Sequence, residues 1–475
     1  MRRLTILLCV VLPAVFWTAG RAGAQESNAA RLSLEDTAYV DVSMGLAGQA
    51  GALKDLFELD WQAGGALEAQ ARRTLGAAHL YGRFGYGYDY GRGSTWRGWI
   101  DPYETPFMLA DSIPGPLSLE RYSMEAGIGL PLGGGWAAGL DVAYDVALMA
   151  KHRDLRNKNT GMTFRVAPGI GWQGGSFGLG LDLGYERATE RVEYMQVSSN
   201  VENVLFDIYG LWVGRAMGFS SAENRRMKEG DRFFGDFQLD LSFGGVSVSN
   251  NLGLSWQRSV QTEVGYNNLQ FGETRSWTWN DELDIRIGDA HGIEASATYS
   301  TQQGFRPLQR QELDPDSRIR IWVTYGDPVF CYWRRQHEEH LKYTFGTDWK
   351  VSVGVDNEGL LHSYTEYPHR FVQGISSVTP SVGAAVPLGS RLELAPWVAF
   401  SKAYGQVNEL TEWQLSEPMM RQWDYWDGNN WLAALELQWS TASGGTYVKA
   451  RYDFMANDAF SSFRHAASLK IGFVF

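Results

Sequence analysis

His337-Glu338-Glu339-His340 sets two imidazoles beside two carboxylates, the side chains that hold zinc. A helical zinc-protease pattern needs the second His four residues after the first, so that both share a face. Here the separation is three residues, and Tyr332–Phe345 has the alternation of a strand, on which such residues face opposite sides. No metal and no cofactor site is expected. A second cluster, residues 151–158, gathers Lys151, Arg153, Arg156 and Lys158 around His152 and Asp154. Such a group can grip an anion, for example a lipid-A or sugar phosphate, or a partner. The plainer reading is a solvated loop whose bases pair with neighbouring acids. A third cluster, around residues 413–431, places Trp423 and Trp426 near Asp424 and Asp427. Aromatics with acids suit sugar stacking or capture of an apolar ligand. They equally suit a loop core or a membrane girdle.

Catalytic patterns are sparse. No G-x-S-x-G elbow occurs, and of the eight His only His79 and His465 sit clearly in strand patterns. A hydrolase assembled across strands stands as an alternative, and a non-enzymatic protein is expected.

The remaining charges recur at every second position. Asp141 and Asp145 alternate with Leu140, Val142, Tyr144 and Val146. Asp182 and Glu186 alternate with Leu181, Leu183 and Tyr185, and Asp236 and Asp240 with Phe237, Leu239 and Leu241. Glu282, Arg286, Glu393 and Arg451 sit the same way in later runs. A period of two means strands with one apolar and one polar face. Gly-containing turns such as Gly134-Gly135 and Gly244-Gly245 join many of these runs at one end. Long polar segments, about residues 91–117, 187–231, 304–333 and 404–430, join them at the other.

Short turns at one end and long loops at the other describe an outer-membrane β-barrel. Its apolar face meets lipid, and its polar face lines a lumen. Many strands begin or end on an aromatic residue, as Trp136, Trp431 and Trp439 do, which is the pattern of interfacial girdles. Closure is required, because every backbone polar group must be paired in lipid. The chain supports about eighteen antiparallel strands between Tyr39 and Phe475, or about sixteen without the pair near 39–47 and 54–71. Such a barrel is wide enough for an aqueous lumen unless loops fill it. The segment before Tyr39 is too short for a plug. The ten charged residues named above then line the lumen. The simplest reading is that they solvate it and cross-link its wall; the functional one is a charge-lined path favouring cations or neutral solutes.

Composition agrees. The 475 residues carry 54 acidic and 42 basic side chains, a net charge of −12, which excludes a general nucleic-acid binder. Two cysteines exclude a disulfide framework. Mean hydropathy is −0.27, low for a helical membrane protein, and no apolar run of about 18 residues follows the N-terminal segment. That segment has Arg2 and Arg3, an apolar Leu4 to Trp17, and Ala22-Gly23-Ala24. Residues 1–24 therefore read as a secretory signal peptide, and 25–475 as the barrel.

The last strand, Ala467 to Phe475, alternates to the end of the chain and stops on an aromatic residue. It looks like the terminal signature that the barrel-assembly machinery reads, with Phe475 as the contact. Tyr81-Gly82-Arg83-Phe84-Gly85-Tyr86 and Arg153-Asp154-Leu155-Arg156-Asn157-Lys158 carry a further likeness. Through them the mature chain resembles large outer-membrane barrels of Bacteroidota-type bacteria. The resemblance implies the outer membrane of a Gram-negative cell, contact with its lipid, and a link to TonB-dependent nutrient uptake. A TonB-dependent receptor or a surface lipoprotein is the partner it implies. It brings no established activity and no functional residues. A diffusion channel or an accessory to uptake is the leading expectation, and a plugged barrel whose loops bind a ligand or partner is the alternative.

Overall fold

A computed structural model describes residue 30 and residues 38–475, apart from 199–202, 211, 219–224, 265–268, 316–317, 319, 367–368, 410–414, 442–444 and 459–461. Residues 1–24, read above as a signal peptide, lie outside the described residues.

The strands in chain order are β1 (Tyr39–Gly51), β2 (Trp61–Leu75), β3 (Ala78–Ser94), β4 (Met108–Ala110), β5 (Gly115–Gly133) and β6 (Trp136–Lys151). Next come β7 (Arg156–Gly174), β8 (Phe177–Met195), β9 (Val204–Gly210), β10 (Val213–Gly218), β11 (Arg225–Phe243) and β12 (Val246–Glu263). They are followed by β13 (Gln270–Ile287), β14 (His291–Arg306), β15 (Gln309–Leu313), β16 (Arg320–Thr324), β17 (Val329–Phe345) and β18 (Lys350–Glu366). β19 (His369–Pro387), β20 (Leu392–Glu409), helix α1 (Ser416–Asp427), β21 (Asn430–Ser440), β22 (Thr446–Asn457) and β23 (Ser462–Val474) complete the chain.

Eighteen of these strands form one antiparallel sheet closed on itself. Each pairs with its neighbours in the sequence, and β1 closes the ring against β23, with Met44 opposite both Leu67 and Ile471. The ring closes to the last residue: Val40 and Phe475 exchange backbone hydrogen bonds of 3.1 and 2.8 Å. The first pair, least clear from the sequence, is a full part of the wall. β4, β9 and β10 form a small separate sheet, and β15 and β16 form a hairpin.

The alternation decides which way each face points. On β8, β11, β12 and β13 the residues Leu181, Leu183, Phe233, Phe237, Leu252, Leu254, Trp277 and Trp279 are exposed, while Asp182 and Gln238 between them are buried. An apolar ring outside and a polar lining inside is the reverse of a soluble fold, and is what lipid demands of a closed sheet. The fold is thus an all-β transmembrane-type barrel. No helix among the described residues is long and apolar enough to cross a membrane.

One end of the barrel carries tight turns. Gly244 and Gly245 adopt φ of +57° and +82°, which a two-residue hairpin requires and other residues resist. At the other end the strands run on well past the apolar belt. β5, β7, β8 and β11 each reach 19 residues, about twice what a span needs. The long polar segments are therefore shorter as loops than the sequence suggested. Residues 187–195 and 225–231 extend β8 and β11, and 416–427 form a helix. Above the belt both faces meet polar surroundings, so the period of two fades while the ladder continues.

Candidate functional site

At the loop end several of the protein's own loops pack against one another and against the inner side of the wall. Residues 52–60, 95–114, 203–210, 212–218 and 415–429 turn inward and share a hydrophobic core. Leu56, Phe57, Trp96, Trp99, Leu109, Leu205, Ile208, Trp212, Leu415 and Met419 are its buried centre. These loops carry many large apolar side chains and no period, so each buries its surface against the others and against the wall. β4 pairs with β9 across them, with Leu109 opposite Asp207. The Trp212 indole donates to the Gln422 side-chain oxygen at 3.0 Å, joining α1 to the β9–β10 loop.

This cap touches the wall around its circumference. Phe107 is fully buried against β13 and β14, where the wall has Gly272 and Gly304. A Cβ on Gly272 would lie 2.5 Å from the Phe107 ring, and one on Gly304 3.2 Å from it. Leu53 and Tyr425 pack on Ala399, Leu432 and Met455. Leu59 packs on Leu117, Leu119 and Met149. The Arg334 guanidinium donates to the Tyr103 carbonyl at 2.8 Å, and the Gln302 amide to the Glu104 carbonyl at 2.7 Å.

Buried ion pairs fasten cap to wall. Lys228 on β11 meets Glu104 of the 95–114 loop and, at 3.0 Å, Glu190 on β8. Arg226 pairs with Asp207, Arg464 with Glu58, and Lys151 with Asp111 at 2.5 Å. The Glu190 carboxylate also accepts from the Ile100 backbone amide and the Asn159 side chain, both at 2.7 Å. Charges held this far from water survive by satisfying one another, so losing one partner strands the other. Among the described residues Asp55 has no such cation. Its burial, and then the nearby Glu58, raise its pKa to about 7. Burial likewise lifts the Tyr103 phenol well above its ordinary value.

Under the cap lies a cavity of about 150 Å³. Tyr103, Trp212 and Trp426 line it from above, and Glu338, Glu358 and His362 from the wall. Glu338 and Glu358 stand directly opposite each other on β17 and β18. The Glu338 carboxylate accepts from Gln336, which in turn meets Arg334. The arrangement can hold a small polar or cationic group against aromatic surface.

The residues singled out from the sequence fall into three places. Asp141, Asp145, Asp182, Glu186, Asp236, Asp240, Glu282, Arg286, Glu393 and Arg451 all occupy lumen-side positions. Each adjoins an outward residue such as Leu140, Tyr144, Leu181, Phe237, Ile287 or Tyr452, all exposed. Several are cross-linked there. Arg165 donates to Asp141 at 2.9 Å and to Glu125 at 2.7 Å, and Arg451 to Asp453 at 2.6 Å. The basic cluster is split. Lys151 is buried and taken by Asp111, so it is closed to an anion from outside. Arg153 donates to the Pro114 carbonyl at 3.1 Å, Arg156 pairs with Asp154 at 2.9 Å, and Lys158 is exposed on β7. Trp423 is buried on α1, and the Trp426 ring lies 5.9 Å from His362, so this segment belongs to the cap rather than to an open loop. His337 and His340 lie on opposite faces of β17, with His340 against Asp356. Among the described residues no group of three or more His, Cys, Asp or Glu is placed to hold a metal ion. Glu104, Phe107, Arg226 and Lys228 escaped sequence reasoning. The crowding of Trp96, Trp99, Tyr103, Phe107 and Leu109 into one nominal loop was the available signal.

One family model, described as a family of unknown function (DUF6850), matches residues 29–475. The chain belongs to that family. No curated protein matches it. Among solved structures it is similar to the ferric-catecholate import receptor Fiu from E. coli K12, at 8% identity and TM-score 0.41, covering 93% of this chain and 82% of that one. It is also similar to the outer membrane transporter YddB from Escherichia coli, at 8% identity and TM-score 0.43, covering 92% and 81%. The FrpB iron transporter from Neisseria meningitidis gives 9% identity and TM-score 0.46, covering 94% and 82%.

Proposed function

We propose that this DUF6850 protein is a non-enzymatic outer-membrane barrel that takes up a small polar solute through a mouth closed at rest by its own loops. The observation that supports this reading is the cap, bound to the wall on all sides and fastened by buried ion pairs. An unobstructed diffusion pore does not invest buried charge in sealing its own entrance. Below the cap the lumen is rich in carboxylates, among them Asp182, Asp236 and Asp240, which favours neutral or cationic solutes over anions. The barrel-assembly machinery, reading Phe475, and a TonB-dependent receptor are the partners proposed with it.

Conductance in planar bilayers tests this. The intact protein is expected to stay closed, and a Lys228→Met, Arg226→Met double variant to show discrete steps. Steady conductance from the intact protein would return the barrel to the class of open pores. A silent double variant whose cap is shown by hydrogen exchange to be loosened would also overturn the uptake reading.

A second reading has its own observation. The β15–β16 hairpin region leaves Leu308, Leu313 and Tyr325 exposed beyond the wall. It offers apolar surface to a surface lipoprotein or receptor. Loss of a co-purifying protein on changing Leu313→Asp would support it, and unchanged co-purification would remove it.

A further inference from the structure

The outer surface of the barrel holds a second feature, unrelated to the cap. Along β8, β11, β12, β13 and β14 the apolar belt ends toward the loops on Tyr185, Phe233, Trp256, Trp277 and Thr301, which the register places side by side. The next outward row is Arg187, Asp231, Arg258, Arg275 and Gln303. It sits where headgroups of the outer leaflet begin, directly above the aromatic girdle.

Within that row Arg258 and Arg275 are direct cross-strand partners. Two like charges so placed repel each other. Glu273 relieves them in part, accepting from Arg258 at 2.8 Å and from Arg275 at 2.7 Å. Arg335, opposite Thr301 on the neighbouring β17, stacks on Trp333 at 4.3 Å beside the groove. Asp231, directly opposite Arg258, attracts it, but its nearest partners lie on β8, as do those of Glu229. Asp231 is taken by Arg187 at 2.9 Å and by the Tyr185 hydroxyl at 2.6 Å, and Glu229 by Arg187 at 2.7 Å. Arg258 and Arg275 thus share one carboxylate, Glu273, whose side chain is 3% exposed against 50% and 49% for theirs. Arg258 and Arg275 line a groove of about 590 Å³ together with Trp256, Trp277, Thr301 and Gln303.

We propose that this groove docks the phosphate headgroup of a phosphorylated glycolipid of the outer leaflet. The guanidiniums fork onto the phosphate oxygens, as their planar donors favour. Thr301 and Gln303 meet sugar hydroxyls, and the two indoles take the sugar–acyl junction, apolar on one side and wet on the other. The inference rests on the outer-membrane placement but not on the uptake reading, since it concerns the opposite face of the wall.

The test uses the full-length protein purified in detergent, delipidated, and offered bis-phosphorylated lipid A, dephosphorylated lipid A or phosphatidylglycerol. Bound lipid is counted by native mass spectrometry. The intact protein is expected to retain bis-phosphorylated lipid A over the other two. An Arg258→Gln, Arg275→Gln double variant should retain it at least about tenfold less tightly. The lumen variant Arg286→Gln should behave as the parent. Quenching of Trp277 by brominated acyl chains gives a second readout, and an Arg258→Lys, Arg275→Lys variant, which keeps the charge but loses the fork, should fall between. Equal retention by the double variant, or retention of dephosphorylated lipid as strong as the phosphorylated form, would overturn the proposal. Preference for phosphatidylglycerol would overturn it too, assigning the groove to a phospholipid instead. A failed uptake assay leaves each of these outcomes unchanged.

Discussion

Arg464 on the final strand is buried against Glu58 in the first loop, 406 residues away in sequence. The contact joins two events that need not coincide: closure of the barrel between β1 and β23, and seating of the cap. Arg464→Met should leave Glu58 buried without a cation beside the already protonated-leaning Asp55, at a cost of about 3–5 kcal/mol to the seated cap. Hydrogen exchange of residues 52–60 should accelerate while the strands stay protected. Equal exchange in parent and variant would show that the pair holds nothing.

Lys228 bridges the 95–114 loop and β8. Its side chain is 4% exposed and that of Glu190 6%. Lys228→Met should free the 95–114 loop, whereas Glu104→Gln, which keeps a hydrogen-bond acceptor and leaves the Glu190 pair intact, should do so less. Proteolytic nicking within 95–114 orders the two variants, and the reverse order would contradict the bridge.

Phe107 fits the wall because Gly272 and Gly304 leave room for it. Phe107→Ala empties a fully buried site and should cost about 3–5 kcal/mol. Gly272→Val should displace the same ring from the wall side. Both should raise bilayer conductance, and a rise with Phe107→Ala but not with Gly272→Val would mean that the ring is not seated on the wall.

Asp55 makes the cap sensitive to pH. Its folded pKa of about 7 lies above the ordinary 3.8, so the folded cap holds the proton more tightly than the unfolded loop. Below about pH 4 both states are protonated and nothing is lost. As pH rises toward about 7 the unfolded loop ionises first, and the folded cap loses stability; above that the penalty is complete. The cap should therefore exchange more slowly at about pH 5 than at about pH 8, after correction for intrinsic rates. Asp55→Asn should flatten the difference, and a pH dependence that survives the substitution would assign it elsewhere.

The wall makes a plainer prediction. Leu252 faces outward in the middle of the belt, and Leu252→Arg should cost about 2–4 kcal/mol in folding into lipid vesicles. Arg at the lumen position Asp240 should cost far less. Similar losses at both would invert the assignment of faces.

The wall was legible because its signal is local. Asp141 beside Leu140 already says which side each faces, and a repeat of such pairs says barrel. The cap was not. Lys151 reads as one base among several in a loop, and its partner Asp111 is forty residues earlier. Trp423 reads equally as a binding aromatic, a loop core or a girdle residue, and the fold buries it on α1. Residues whose role is fixed by distant contacts leave no period to detect; what they leave is an excess of apolar side chains where a solvated loop should have few.

In the wall each strand touches its neighbours in sequence, so a disturbance there passes around the ring one strand at a time. The cap works as a cross-brace. Trp212 bonds Gln422 across 210 residues, and Arg334 bonds Tyr103 across 231. A push on α1 is thus felt at β9 and β17 without travelling the rim. A solute or partner that shifts one loop must shift the others with it, so the mouth should respond as a unit and open in one step.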